Sequence, residues 1–305
     1  MQPIQKYYAK GKLLITGEYT VLDGALSLAI PTKFGQWLEV YTSPDPHQIE
    51  WKSYDYDQSL WFECVLDKNL EVLTTSDLQK GQKLRDILQQ VIHQNPSFKS
   101  EVLGKQIRTK LEFNRKWGLG SSSTLIHLLS QWAQINPYIL LDNTFGGSGY
   151  DIACADADGP ISYQISDLGR KIKPVTFALE STENIHFVYL GEKQFSDKEI
   201  AKYAQLEFNR ALLAHQITTL TNQVISTTGI IQLETLLSTH EDLLSQALGY
   251  STIHHQRFKN ISGTFKSLGA WGGDFVLFIG HKAELKQLTA MGYTTILSWT
   301  EMFDY

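Results

Sequence analysis

Trp117-Gly118-Leu119-Gly120-Ser121-Ser122-Ser123-Thr124 decides how this chain of 305 residues is read. Upstream of it, Ile107, Thr109, Leu111 and Phe113 alternate with polar neighbours, the period-two pattern of a strand with one buried face. Downstream, Leu125, Leu128, Leu129 and Trp132 share one face of a helix predicted from Ser121 to about Ile135, which Asn136-Pro137 stops. Glycines between a strand and a helix let the backbone approach a ligand closely. The opening amides and positive dipole end of the helix favour an anion, and three hydroxyls add hydrogen bonds or a metal ligand. A plain glycine turn with a serine cap would use the same residues, so other segments must decide between them.

Spacing removes several alternatives. Gly11-Lys12 and Gly104-Lys105 each have a lysine, Lys6 and Lys99, where a P-loop needs its first glycine. Ser123 stands where a dinucleotide-binding fingerprint needs its last glycine, and Ser148 lacks the closing glycine of a nucleophile elbow. With 42% hydrophobic and 19% charged residues the composition is globular. A net charge of −5 repels nucleic acid and anionic membrane, so any phosphate must be held locally. Cys64 and Cys154 form no disulfide framework or metal pair, and no apolar run approaches the roughly 18 residues of a spanning helix. A cytoplasmic protein that binds neither nucleic acid nor membrane is expected.

Three further segments carry chemistry. In Ala9 to Gly24, Lys12 and Glu18 flank a short apolar strand; Lys12 suits charge developing on a phosphoryl group, and Glu18 suits a polar ligand or Lys12 itself. Gly146-Gly147-Ser148-Gly149-Tyr150-Asp151 makes a tight loop before a small-residue helical stretch, where Asp151 is a cap or a general base. Lys266-Ser267-Leu268-Gly269-Ala270-Trp271-Gly272-Gly273-Asp274 is a second glycine loop, leading into the strand Phe275–Ile279. Elsewhere, Asp77 caps a helix through about His93, Trp51 and Phe62 belong to an aromatic-rich hairpin, and helical periodicity runs from about Asp197 to Asn222 and from Ile231 to Leu248. A polar stretch around Asp167 separates a strand-rich first half from a second half with long helices, giving domains of 1–167 and 168–305.

As a set and in this order, the four segments resemble the motifs of the GHMP small-molecule kinases. Lys12, Gly17-Glu18-Tyr19, Gly118 to Ser122, Ser148-Gly149-Tyr150-Asp151 and Gly269 to Gly273 carry the likeness. It is nearest to phosphomevalonate kinases and mevalonate kinase-like proteins. Lys10 stands in place of a usual proline, Trp271 replaces a glycine, and Leu140 occupies the position of a metal-binding Glu in mevalonate kinases, leaving Asp142 as the nearest acid.

The resemblance implies an α+β architecture: an N-terminal domain like the second domain of ribosomal protein S5 and a ferredoxin-like C-terminal domain, with the site fed from both. It implies ATP and Mg²⁺ as cofactors and a small-molecule acceptor, most simply phosphomevalonate or mevalonate, in a monomer or homodimer. Lys116, Gly118, Leu119, Gly120, Ser121, Ser122 and Ser123 would hold the nucleotide, and Ser122 with Asp142 the metal. Asp151 and Lys12 would be catalytic, and Glu18, Tyr19, Ser148, Gly149, Lys266, Gly269 and Ala270 would face the acceptor. A non-catalytic nucleotide- or metabolite-binding protein of the same fold, or a kinase for another alcohol or sugar, is the alternative.

Overall fold

The computed structural model describes residues 2–191, 196–269 and 274–304. In chain order the elements are β1 (Gln5–Thr16), β2 (Ser27–Thr42), β3 (Ile49–Tyr54), β4 (Leu60–Leu66), β5 (Val72–Thr75), α1 (Leu78–Gln94), α2 (Phe98–Val102), β6 (Lys105–Leu111), α3 (Ser121–Ala133), α4 (Pro137–Asp142) and α5 (Tyr150–Ala155). They continue as β7 (Ile161–Ser166), β8 (Gly169–Pro174), β9 (Ile185–Tyr189), α6 (Ser196–Gln205), α7 (Arg210–Ser226), α8 (Ile230–Leu248), β10 (Thr264–Leu268), β11 (Phe275–Ile279), α9 (Lys282–Ala290), β12 (Ile296–Ser298) and α10 (Trp299–Met302).

The chain forms two compact units that interleave along the sequence. The first comprises Met1–Gly11, Phe34–Arg115 and Leu119–Asp156; the second comprises Lys12–Lys33, Lys116–Gly118 and Ala157–Tyr305. In the first unit the strand order is β5-β4-β3-β6-β2. All neighbours there are antiparallel except β3 and β6, which run parallel with Trp51 opposite Ile107. The β3–β4 pair is the expected aromatic hairpin, with Trp51 opposite Cys64 and the rings of Trp61 and Phe62 5.8 Å apart.

Helix α1 forms because Leu84, Ile87, Leu88 and Val91 make one apolar stripe, and Asp77 caps it by accepting a hydrogen bond from the Lys80 amide. That stripe joins Leu38, Val40, Trp51, Phe98, Ile107, Leu128, Leu129 and Trp132 in one core. Each fully buried side chain of this kind contributes about 1.5 to 3 kcal/mol of transfer free energy. Helix α3 ends at Ala133, where Gln134 takes a left-handed φ of 52°, ahead of the expected stop at Asn136-Pro137; those two instead start α4, because Asn136 accepts hydrogen bonds from the amides of Tyr138 and Ile139 and proline suits the first helical position.

In the second unit the start of β2 pairs antiparallel with β7, and β7 with β8. Asp167 and Leu168, expected to separate the halves, form the tight turn of the β7–β8 hairpin, inside this unit. A separate four-stranded antiparallel sheet has the order β10-β11-β9-β12. Phe258 stacks on Phe265 with ring centroids 4.4 Å apart, and both lie in the core of this sheet with Val188, Val276 and Phe278. The helical run expected from Asp197 to Asn222 is two helices. It breaks at residues 206–209, where Asn209 caps α7 by accepting from the Leu212 amide and so offers the backbone a fresh start.

Candidate active site

The first unit presents the deciding segment as an open helix start. Gly120 takes a left-handed φ of 93°, a conformation that costs glycine little, and α3 begins at the next residue with no side chain capping it. Leu119 is buried and anchors the turn. The three serines divide by direction. Ser123 donates its hydroxyl back to the Gly120 carbonyl at 2.8 Å, Ser121 is half-buried, and Ser122 is exposed. Thr124 is committed to the Gly120 carbonyl at 3.1 Å and to Gln36 at 2.6 Å.

Asp151 lies in the first turn of α5, half-buried, and accepts the Ile152 amide at 3.0 Å through Oδ1. It is not the helix cap, because Gly149 takes that place with a φ of 87°. Ser148 is buried beside it. Asp142 is exposed at the end of α4, whereas Leu140 on the same helix is fully buried in the core and cannot ligate anything. Among the described residues no three His, Cys, Asp or Glu side chains are placed to cage a metal.

The second unit carries the other motif residues. Lys12 Nζ donates to the Gly118 carbonyl at 3.0 Å and so fixes the entry to the glycine turn. Lys116 is exposed, and its carbonyl accepts the Tyr189 hydroxyl at 3.3 Å. The Trp117 ring meets Phe275 edge-on at 5.7 Å. Gly118 has a φ of 67°, and a Cβ there would lie 1.8 Å from Asp274 Oδ2. Only glycine fits against that carboxylate. Gly269 has a left-handed φ of 75°, and no atom of the described residues lies within 4 Å of where a Cβ would stand. Ala270 and Trp271 lie outside the described residues.

Glu18 and Lys266, expected to face the acceptor, instead face each other. Lys266 Nζ donates to Glu18 Oε1 at 2.7 Å and to the Ser267 carbonyl at 2.5 Å, with Lys266 wholly buried and Glu18 nearly so. A carboxylate and an ammonium survive in the interior only when paired in this way. Burial pushes the Glu18 carboxyl up to about 7, against the opposing pull of the Lys266 charge and hydrogen bond. Tyr19 likewise turns inward, with a φ of 58° and its ring stacked 5.1 Å from Tyr203. The Tyr203 hydroxyl donates to Asp23, whose carboxylate also pairs with Arg210 at 3.3 Å. Burial, together with the neighbouring Asp23 carboxylate, holds the Tyr203 phenol well above its ordinary range.

Sequence reasoning passed over His240 and Glu241. His240 Nε2 accepts the Gly17 amide at 2.9 Å, and Glu241 accepts the Ser267 amide and hydroxyl at 3.1 and 3.0 Å. Burial, reinforced by the Lys266 charge, holds the His240 imidazole well below its ordinary range, hence neutral. A signal was available: both interrupt the buried stripe of Leu233, Leu236, Leu237, Leu244 and Leu248 on α8. Polar residues on an apolar face need internal partners.

No family model matches this chain, and no curated protein matches it by sequence. Solved structures do match, mevalonate kinases, a phosphomevalonate kinase and a galactokinase among them, and the chain has the two-domain α+β fold of the GHMP kinases. The mevalonate kinase of Methanococcus jannaschii is similar over 96% of this chain and 97% of that one, at a TM-score of 0.70 and 16% identity. The phosphomevalonate kinase of Streptococcus pneumoniae, solved with phosphomevalonate and AMPPNP, is similar over 97% and 100%, at a TM-score of 0.66 and 17% identity. The galactokinase of Lactococcus lactis, solved with galactose, is similar over 96% and 92%, at a TM-score of 0.66 and 11% identity. Among the described residues no helix is long and apolar enough to cross a membrane.

Proposed function

We propose that this protein transfers a phosphoryl group from ATP to a small hydroxylated or phosphorylated acceptor, with phosphomevalonate or mevalonate the leading candidates. The observation that carries this reading is the uncapped start of α3 behind Gly120, with Ser122 turned outward, in a fold shared with small-molecule kinases. An open helix N-terminus offers amide donors and a positive dipole end to phosphate oxygens. Lys116, Gly118, Leu119 and Ser121 to Ser123 complete the nucleotide side in this proposal.

Phosphoryl transfer asks for positioning and charge neutralisation more than for covalent chemistry. Asp151 takes the proton of the acceptor hydroxyl as that oxygen bonds to the γ-phosphorus; the bond from phosphorus to the bridging oxygen breaks, and ADP leaves with the electron pair. Lys12 offsets charge on the oxygens in flight while holding the Gly118 carbonyl. We assign acceptor binding to Ser148 and Gly149 in the first unit and to Gly269 and Ala270 in the second, where Glu18 and Lys266 pair with each other and Tyr19 stacks on Tyr203. The Ser122 hydroxyl and Asp142 carboxylate are hard oxygen donors, the kind Mg²⁺ accepts beside phosphate oxygens and water, and the ion would supply charge neutralisation there. We place the protein in the cytoplasm, as a monomer or homodimer.

Incubation with ATP, Mg²⁺ and a panel of mevalonate, phosphomevalonate, galactose and heptose phosphate, read by product mass, tests this. A gain of one phosphate on one acceptor is expected. ATP binding without turnover on any of them would favour the non-catalytic reading, and failure to bind ATP would overturn both.

A further inference from the structure

We propose that His240 and Glu241, successive residues of α8, are positioning residues that set the acceptor side of the site, a role that rests on the kinase reading. Each reaches a different motif segment. His240 Nε2 holds the Gly17 amide at 2.9 Å, and the Gly17 carbonyl in turn accepts the Val21 amide at 2.9 Å. The turn carrying Glu18, Tyr19 and Asp23 is thereby fixed at both ends of one residue. No side chain fits at Gly17: its φ is 93°, and a Cβ there would lie 2.1 Å from Ser27 Oγ.

Glu241 holds the other segment. Its Oε2 accepts the Ser267 amide at 3.1 Å, and its Oε1 accepts the Ser267 hydroxyl at 3.0 Å and the Ile253 amide at 3.2 Å. Ser267 lies on β10, two residues before Gly269, the first glycine of the motif segment Gly269 to Gly273. Lys266 ties the two holds together, 2.7 Å from Glu18 and 4.0 Å from Glu241. One turn of one helix therefore sets the spacing between the Gly17 turn and the β10 exit.

Both residues are buried, His240 completely, so neither touches a ligand. Their effect passes through backbone position, where displacements of an ångström cost large factors in rate. Placing an imidazole and a carboxylate inside a helix–sheet interface is expensive, and leucine would fill the stripe at lower cost. What the polar pair adds is direction: His240 accepts from the Gly17 amide, and Glu241 from the amides of Ser267 and Ile253 and the Ser267 hydroxyl.

The test uses the full-length protein with three variants. His240→Leu removes the acceptor, His240→Gln restores one through its side-chain carbonyl, and Glu241→Gln replaces one oxygen, at a site surrounded by donors, with a further donor. In the phosphorylation assay, His240→Leu and Glu241→Gln are expected to raise the acceptor KM about tenfold while the ATP KM stays within about twofold, and His240→Gln to recover most of the loss. Equal changes in both KM values, or a fall only in the folded fraction, would overturn the role. Amide hydrogen exchange gives a readout independent of turnover. Faster exchange at Gly17 in His240→Leu and at Ser267 in Glu241→Gln, with β3–β6 unchanged, supports the two holds even if no acceptor is phosphorylated and the kinase reading falls. Unchanged exchange at both amides would overturn the holds whatever the kinetics.

Discussion

The open turn at the head of α3 and the closed turn at Gly17 to Asp23 are both motif segments, and they treat their polar groups in opposite ways. In the first, no side chain caps the helix, and Ser122 faces out. In the second, the Gly17 amide, Oε1 of the Glu18 carboxylate and the Tyr19 ring find partners inside the protein. A motif therefore mixes residues that face outward with residues committed to partners inside the protein. Burial and hydrogen-bond accounting separate the two kinds where sequence spacing cannot.

Asp151 belongs to the open kind, and its loss should be the largest single effect. Asp151→Ala is expected to lower kcat by a factor on the order of 10² to 10⁴ with ATP affinity retained, measured by steady-state kinetics and calorimetric titration. An unchanged kcat would remove it from the chemistry.

Lys266 belongs to the closed kind, so its loss should register in stability. Lys266→Met leaves Glu18 and Glu241 buried without their cation, and a loss of about 3 to 5 kcal/mol in urea unfolding at neutral pH is expected. A stable Lys266→Met protein with a weakened acceptor KM would place Lys266 on the ligand side and break the contrast.

Glu18 and His240 give the closed region a two-sided pH response. The Glu18 carboxyl, raised from its ordinary 4.5 to about 7, contributes stability that is full below 4.5 and is lost as pH rises through 7. The imidazole of His240 is depressed, so its contribution is present above about 6.5 and is lost as pH falls. Between pH 4.5 and 6.5 the two slopes oppose each other. Glu18→Gln removes the falling slope, so that stability is expected to rise with pH up to about 6.5 and then stay flat through pH 8. Urea midpoints across pH 4.5 to 8 measure this, and a profile matching the unsubstituted protein would show that Glu18 does not titrate there.

The smallest effects lie within the serine run. Ser123→Ala removes a hydroxyl bonded to the Gly120 carbonyl and should cost about 1 kcal/mol of stability. Ser122→Ala should leave stability within about 0.5 kcal/mol and raise the Mg²⁺ and ATP concentrations needed for turnover. The reverse pattern would exchange their roles.

What the sequence determined by itself was local and ordered. Apolar periodicity placed α1 and α3, Asp77 and Asn136 marked helix boundaries, and the glycine segments in their order matched a motif set whose fold the solved structures share. These signals survive in one dimension because each depends on neighbours within a turn or two of chain. Only the tertiary structure decided that Glu18 and Lys266, 248 residues apart, neutralise each other, that His240 and Glu241 hold two distant backbone amides, and that Gly118 must be glycine because Asp274 lies against it. A charge beside a glycine reads as a ligand contact until its long-range partner is known. The cost of burying that charge is set by whatever the rest of the chain brings to it.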